Sequence, residues 1–324
     1  TKELEEALAL RLDVEHAIMT TSGTSALMLA LMALDLPKGS EVLVPNFTMI
    51  ATANAVKAVG LTPKLCDVSA ESYTLDLENI KSSFSDRTRV VLHVSLNNRT
   101  SGLDEIASWC QERKIVLLED SAQSLGCRVL GKSLGTFGSI GCFSLSTPKI
   151  ISTGQGGICV TNDSELARKM RMIKNFGRKR SGVDDFEVFG INLKFTDLQA
   201  VVGLEQMKKL DDRLARMRKI YELYYQTLGP LGIMKAPEAD GWAPWFVDIH
   251  VERRGELQTF LSKHRVGTRP YYDPLSFTDT HLCGDSFPVS TEICSRGLFL
   301  PSYVTLTDAD VRYAANLVKF FFTA

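Results

Sequence analysis

A lysine that follows an apolar segment is the residue best placed for covalent chemistry in this 324-residue chain. In the stretch 138–157, an apolar run containing cysteine and phenylalanine predicts a buried strand. The run is followed by Ser144, Lys149 and three glycines, Gly154, Gly156 and Gly157. A lysine amine held in an enclosed site has a lowered pKa and can form a Schiff base with a carbonyl. This stretch alone equally allows an ordinary surface lysine beside a glycine-rich turn.

An acidic residue at a second strand end favours the chemical interpretation. Residues 115–118 form a short β-branched and leucine run, typical of a buried parallel strand, and Asp120 follows it. In open α/β sheets, ligands bind in the crevice at the carboxyl ends of the strands. An aspartate there can keep a pyridinium nitrogen protonated, as pyridoxal phosphate requires to act as an electron sink. The two strand ends therefore predict a site for this cofactor.

A cluster of small polar residues precedes a helix that is apolar all round. The cluster covers residues 20–25 and includes Thr24 and Ser25, and the helix is predicted over 26–34. Backbone N–H groups at such a helix start, together with hydroxyl groups, suit a phosphate. The same residues would serve equally well as plain helix caps, so both interpretations stay open.

Alternating strands and helices must position these residues. Strands are predicted at 41–44, 64–68, 90–96, 115–118 and 158–161, and helices at 1–12, 50–59, 103–113, from Asp163, 255–264 and 308–322. This alternation predicts an α/β fold with a mostly parallel sheet between helices. Thr196 and Gln199 form a capping box at the start of one long amphipathic helix over 197–228. We predict a large domain over 1–210 and a small α+β domain over 211–324.

Composition excludes several classes of function. The 37 basic residues nearly balance 38 acidic residues, so neither a nucleic-acid footprint nor a membrane-surface patch is expected. No apolar run approaches the length of a transmembrane helix, and we expect a cytoplasmic protein without a signal peptide. Neither the cysteines nor the five histidines have metal-ligand spacing, so no metal site is expected. The cysteines are predicted to be reduced core residues: Cys66, Cys110, Cys127, Cys142, Cys159, Cys283 and Cys294.

Several motifs together resemble one known family over nearly the whole chain. They are Ser22-Gly23-Thr24-Ser25-Ala26-Leu27, Glu119-Asp120-Ser121-Ala122-Gln123, Ser144 five residues before Lys149, Gly154-Gln155-Gly156-Gly157, and Asn192 ahead of Thr196-Asp197-Leu198-Gln199-Ala200. In this order they resemble the DegT/StrS family of sugar-nucleotide aminotransferases, which have the fold-type-I pyridoxal phosphate architecture. The resemblance implies transfer of an amino group from an amino acid, with glutamate as the expected donor, to a nucleotide-linked 4-keto-6-deoxyhexose.

The resemblance also implies roles for individual residues. Lys149 would form the internal aldimine and later shuttle a proton, Asp120 would pair with the pyridine nitrogen, and Gln123 would contact the ring hydroxyl. The phosphate would be held by Thr24, Ser25 and Ser144, and by Asn192 of the neighbouring subunit of a homodimer with shared active sites.

Three features depart from the family pattern. Met49 stands where the family usually has an aromatic residue that stacks on the cofactor ring, and Phe47 lies nearby as an alternative. The segment 97–99 replaces a turn that is expected near the sugar. The chain begins at Thr1, after the region where the family has an N-terminal arm.

Alternative functions remain open at this point. The stretch 267–272 resembles perosamine-type enzymes and favours amination at C4 over C3 of the sugar. Dehydratases of the same family have histidine in place of the Schiff-base lysine, so Lys149 argues against that activity. A non-catalytic regulatory or scaffold protein with the same fold is the remaining hypothesis.

Overall fold

The computed structural model describes residues 1–100, 102–180, 182–236, 241–278, 282 and 286–323. The helices are α1 (Lys2–Leu12), α2 (Gly23–Ala33), α3 (Ala51–Ala58), α4 (Leu77–Ser83), α5 (Leu103–Glu112), α6 (Ser164–Ile173), α7 (Asp197–Met207), α8 (Leu210–Leu228), α9 (Arg254–Lys263), α10 (Leu275–Thr278), α11 (Pro288–Arg296) and α12 (Asp308–Thr323). The strands are β1 (His16–Thr20), β2 (Glu41–Pro45), β3 (Thr62–Cys66), β4 (Thr88–Val94), β5 (Val116–Asp120), β6 (Arg128–Val129), β7 (Lys132–Ser133), β8 (Ile140–Ser144), β9 (Gly157–Thr161), β10 (Val247–His250), β11 (Arg269–Pro270) and β12 (Gly297–Leu300).

The main sheet is mostly parallel, as the sequence predicts. Its strand order within the described residues is β1-β9-β8-β5-β4-β2-β3. Strands β2, β3, β4, β5 and β8 pair in parallel, whereas β9 runs antiparallel to both of its neighbours. The carboxyl ends of β4, β5 and β8 therefore lie at one edge of the sheet, and the amino end of β9 lies beside them.

Apolar residues cover both faces of this sheet. Because side chains alternate along a strand, Leu118 of β5 packs in the core on one face and Leu117 in the core on the other. The same alternation sends the two acidic side chains at the end of β5, Glu119 and Asp120, to opposite faces. The fold class, an α/β architecture with a mostly parallel sheet, is confirmed.

A second, smaller sheet lies in the C-terminal part of the chain. Strands β10, β12 and β11 pair antiparallel, and α8, α9 and α12 pack with them around a third core. The predicted division of the chain into 1–210 and 211–324 stays a prediction.

The predicted single helix over 197–228 is wrong, because two helices occupy this region. The capping box of Thr196 and Gln199 is present, but α7 ends at Met207 and α8 begins at Leu210. Between them the Lys209 N–H donates to the Gln206 carbonyl at 3.0 Å, a tight turn that interrupts the α-helical ladder. The two helices have different partners, since α7 packs against α1 and α8 against α12.

Three smaller predictions concern one strand, the cysteines and membrane-spanning helices. The strand predicted at 64–68 is displaced, because β3 spans Thr62–Cys66, where it pairs with β2. Six of the seven cysteines are free and buried, as predicted, and Cys283 lies outside the described residues. No helix formed by the described part of the chain is long and apolar enough to cross a membrane.

Candidate active site

A cavity of about 300 Å³ opens at the carboxyl ends of β4, β5 and β8. It lies where parallel α/β sheets bind ligands. Six of the residues predicted from the sequence line it: Thr24, Met49, Asp120, Gln123, Ser144 and Lys149. The structure thus brings together groups that are separated by up to 125 positions along the chain.

Lys149 projects from a short connection between β8 and the antiparallel β9. The connection is closed by hydrogen bonds from Leu145 N–H to the Gly156 carbonyl at 2.8 Å and from Thr153 N–H to the Leu145 carbonyl at 3.0 Å. Burial lowers the pKa of the Lys149 ammonium to about 8, and the charge of Asp120 acts in the opposite direction. Nζ lies 3.8 Å from the centre of the Trp245 ring. Burial therefore favours the unprotonated, nucleophilic form of this amine.

Asp120 ends β5 on the cavity side of the sheet. Burial raises the pKa of its carboxyl, while hydrogen bonds and the charge of Lys149 act against this shift. The Thr52 hydroxyl donates to one carboxylate oxygen at 2.8 Å, and the Ala122 N–H donates to the other at 3.2 Å. The carboxylate is thereby fixed in direction and still lines the cavity, where a cationic ring nitrogen would stabilise its charged form.

The start of α2 forms the polar wall of the cavity. Ser22 caps the helix by accepting from the Ser25 N–H at 3.1 Å, and the first N–H groups of a helix have no acceptor within it. Gly23 lies against Ser144, because a Cβ at Gly23 would fall 2.9 Å from the Ser144 Cβ. Gly157 lets β9 approach this turn, since a Cβ there would fall 2.0 Å from the Ser22 carbonyl oxygen. Thr24 and Ser144 thus present hydroxyl groups beside free amides, an arrangement that suits a phosphate.

Two predicted cofactor-binding residues do not line the cavity of this chain. The Ser25 hydroxyl lies 2.8 Å from that of Ser22 and 2.9 Å from that of Thr21, so it serves the helix cap. Asn192 is exposed, and its side-chain oxygen accepts from the Lys194 N–H at 3.2 Å. The predicted contact of Asn192 with a neighbouring subunit stays a prediction.

Met49 lines the cavity, whereas Phe47 does not. Met49 is 47% exposed and lines the cavity. Phe47 is 1% exposed and stacks on Tyr271, with ring centres 5.2 Å apart, so the alternative that it faces the cofactor is wrong.

The segment 97–99 is not an open substrate loop. Asn97, Asn98 and Arg99 are all buried, and Arg99 makes a bidentate ion pair with the buried Asp248, both bonds being 2.7 Å. Its side chains fix residues 243–248 of the C-terminal part of the chain. The expectation that the segment lies near the sugar stays a prediction.

The cavity residues that were not predicted as site residues include Thr52, Trp245, Arg269 and Tyr272. Thr52 and Trp245 contact Asp120 and Lys149 from distant positions in the chain, and no local pattern marks either of them. Arg269 and Tyr272 lie within the stretch that resembles the family, and the Arg269 guanidinium carbon is 5.2 Å from the Tyr272 ring centre. That resemblance was the available signal for these two residues.

Comparison with known proteins places this site in a family. Over 320 residues the chain is 32% identical to GDP-perosamine synthase of Caulobacter vibrioides, covering 95% of this chain and 86% of the relative. It is 31% identical over 324 residues to UDP-N-acetyl-3-dehydro-alpha-D-glucosamine 3-aminotransferase of Acidithiobacillus ferrooxidans, covering 98% and 87%. The crystal structure of S. venezuelae DesV in complex with a ketimine intermediate matches with a TM-score of 0.94 at 28% identity, covering 100% of this chain and 89% of that one.

The fold and site thus define a protein of the aminotransferase class. Residues 1–319 match the DegT/DnrJ/EryC1/StrS aminotransferase family, and the chain belongs to that family. The family predicted from the sequence is confirmed, as is the class of enzyme, a sugar aminotransferase that depends on pyridoxal phosphate.

Proposed function

We propose that this protein transfers an amino group from an amino acid, with glutamate as the first candidate, to C4 of a nucleotide-linked 4-keto-6-deoxyhexose. The observation that carries the proposal is the cavity in which the amine of Lys149 and the carboxylate of Asp120 meet the start of α2. An amine, an acid and an anion-binding helix end are the three groups that a pyridoxal phosphate enzyme needs.

The residues of the cavity fit the cofactor. We assign Thr24, Ser144 and the first amides of α2 to its phosphate, and Asp120 to its ring nitrogen. Gln123, whose Oε1 accepts from the Asn97 N–H at 2.6 Å, still has an amide nitrogen to offer to the ring hydroxyl. When bound, pyridoxal phosphate supplies the electron sink for both half-reactions.

Lys149 has two roles in this proposal. Its unprotonated amine attaches the cofactor, and between the two attachments it takes up and returns a proton at the substrate carbon. Its pKa of about 8 suits both roles, because a group that exchanges protons works best with a pKa near the working pH. The Asp120 carboxylate keeps its negative charge beside the cationic ring nitrogen and so maintains the electron sink.

The choice of C4 rests on similarity in sequence. GDP-perosamine synthases of three organisms are about 30% identical to this chain over nearly its whole length. Relatives named as a 3-aminotransferase and a 4-aminotransferase are similarly related, so amination at C3 is the second candidate. We assign the protein to the synthesis of amino sugars for surface polysaccharides or other glycans.

A homodimer with shared active sites belongs to the same proposal. Around Asn192, the described surface exposes large apolar side chains, which in a monomer would stay in contact with water. These residues are Phe186, Phe189, Leu198, Val201 and Val202. A second copy that covers them would bring its own Asn192 towards the cofactor phosphate. We also propose a cytoplasmic location, where nucleotide sugars are made.

Absorbance and product analysis test the proposal. The purified chain with pyridoxal phosphate should show a visible band that bleaches with glutamate and returns with the nucleotide-linked ketosugar. NMR of the product then identifies the carbon that carries the new amine. Lys149→Ala should lose the band, whereas Lys132→Ala, a change at an exposed lysine outside the cavity, should keep it. A chain without any band would support the scaffold alternative. A product aminated at C3 would show that C3, not C4, is the carbon that receives the amino group.

A further inference from the structure

The segment 97–99, which departs from the family pattern, is tied to both halves of the active site. The Asn97 side-chain oxygen accepts from the N–H groups of Trp245 at 2.8 Å and Phe246 at 2.9 Å. Its Nδ2 donates to the Phe246 carbonyl at 2.9 Å, and its backbone N–H donates to Gln123. Asn97 is 3% exposed, so these bonds are made away from competing water.

Trp245 carries this connection to the reactive amine. Its indole lies over Lys149, with 3.8 Å between Nζ and the ring centre, and its Nε1–H donates to the Pro148 carbonyl at 3.0 Å. The ring also stacks on Phe246, with ring centres 3.9 Å apart. The indole is therefore held at its backbone by Asn97 and at its edge by the peptide that precedes Lys149.

We propose that Asn97 is a positioning residue: by fixing the backbone of Trp245, it holds the indole against the Lys149 amine and excludes water from that side. Through this one buried asparagine, the C-terminal part of the chain completes the wall of the cavity. Arg99, two residues after Asn97, connects the same two parts of the chain through its ion pair with Asp248.

Loss of the indole has a defined electrostatic consequence. Asp120 on β5, Arg269 on β11 and Tyr272 just after it are the other titratable or charged groups that line the cavity with Lys149. Burial is the largest influence on the Lys149 pKa, and it favours the neutral amine. Water that enters in place of the indole would solvate the ammonium form and raise the pKa of Lys149 towards the usual value of about 10.4, whereas loss of the cation–π contact would lower it. The rise should exceed the fall, because burial already outweighs the charge of Asp120 at this site.

The inference deepens the proposed function and rests on it for its relevance to catalysis, but its test needs no turnover. The full chain, freed of cofactor with hydroxylamine, is labelled with a trace of acetic anhydride over a range of pH. Mass spectrometry of the peptide that contains residue 149 gives the pKa of Lys149. Transaminase activity could be absent while this result holds, and the reverse is equally possible, so the two failures are distinguishable.

Asn98 provides a matched control for Asn97. Both are buried asparagines with a left-handed backbone, with φ of 51° at Asn97 and 65° at Asn98, so glycine replaces either without backbone strain. Asn98 donates to the Ala243 carbonyl and does not contact the Trp245 backbone.

We expect Trp245→Ala and Asn97→Gly to raise the Lys149 pKa by about one unit or more. Asn98→Gly should stay within about 0.3 units of the unmodified chain, with far-UV circular dichroism confirming the fold of each variant. An unchanged pKa in Asn97→Gly, or an equal rise in Asn98→Gly, would overturn the proposal. If Asn97→Gly does not fold, Trp245→Ala decides: a pKa that stays near the unmodified value overturns the role of the indole and with it that of Asn97.

Discussion

Two neighbouring carboxyl groups at the end of β5 have opposite surroundings. Asp120 faces the cavity, where it is held by one hydroxyl and one N–H group and shares the space with Lys149. Glu119 faces the other side of the sheet, is fully buried, and accepts from the N–H groups of Gly135 at 2.8 Å and Gly138 at 2.7 Å. The alternation of a single strand thus separates a group available to a ligand from a group enclosed by backbone.

The pKa shifts do not distinguish the two groups, whereas their partners do. Burial raises the pKa of both carboxyls, and that of Glu119 to about 7. His93, beside Glu119 in the β4–β5 register, is also fully buried, and burial lowers its pKa to about 4. A shifted pKa therefore marks burial, and only an open cavity with an amine opposite marks chemistry.

The largest effect should come from the cavity side. Asp120→Asn removes the charge that would keep the ring nitrogen cationic, so kcat/KM should fall on the order of 10²-fold or more. The free energy of unfolding should change by less than about 1 kcal/mol, because the amide oxygen can accept from the Ala122 N–H while the Thr52 hydroxyl turns to accept from the amide nitrogen. Steady-state kinetics and urea unfolding measure the two quantities. If Asp120→Asn keeps its activity within a few-fold of the unmodified enzyme, the two carboxyls do not differ in function.

Substitution of Glu119, the enclosed carboxyl, should affect stability and not activity. In Glu119→Gln an amide nitrogen replaces one carboxylate oxygen, so one of the two backbone N–H groups faces another donor. The free energy of unfolding at about pH 5 should therefore fall by about 1–3 kcal/mol. The folded pKa of Glu119, about 7, lies above its unfolded value, so its contribution to stability is present at low pH and is lost as the pH rises towards 7. The stability gap between the variant and the unmodified chain should therefore narrow from about pH 5 to pH 8.

Urea unfolding at both pH values measures this gap, and kcat/KM provides the control. Activity should remain within about twofold, since Glu119 does not line the cavity. If the gap instead widens with pH, the hydrogen bonds from the two N–H groups stabilise the carboxylate more than burial destabilises it. Glu119 is then ionised over this whole pH range.

The smallest effect concerns the wall formed by Met49. Met49→Phe offers the cofactor ring an aromatic face, a gain of about 0.5–1 kcal/mol that corresponds to roughly 2–5-fold tighter binding. Met49→Leu has a similar volume without an aromatic face and should show no gain. Equilibrium titration with pyridoxal phosphate measures both. Equal affinities for the two variants would show that the cofactor ring does not lie against residue 49.

The sequence was most informative where function depends on local order along the chain. Asp120 directly ends a strand, and Thr196 and Gln199 are three residues apart, so strand periodicity and capping chemistry were enough to predict their places. Lys149 follows a predicted strand, but the sequence favoured a chemical role for it only together with Asp120 and the family resemblance. The break between α7 and α8 contains neither proline nor glycine, and it arises because the two helices pack against different partners.

Contacts between distant segments could not be predicted. Trp245 lies 96 positions after Lys149, and Arg99 pairs with a residue 149 positions away. Nothing in the neighbourhood of either residue in the sequence specifies its partner. The Ser25 hydroxyl lies against those of Ser22 and Thr21, and its predicted contact with the phosphate stays a prediction.

The antiparallel direction of β9 fixes both ends of the segment that carries the reactive amine. The segment 145–156 leaves β8 and enters β9 at the same edge of the sheet, and both of its ends are hydrogen-bonded in adjacent strands. Each added residue could lengthen this segment by up to about 3.5 Å, about the separation of two atoms poised to react. Evolution can therefore exchange side chains in this segment more freely than it can change its length.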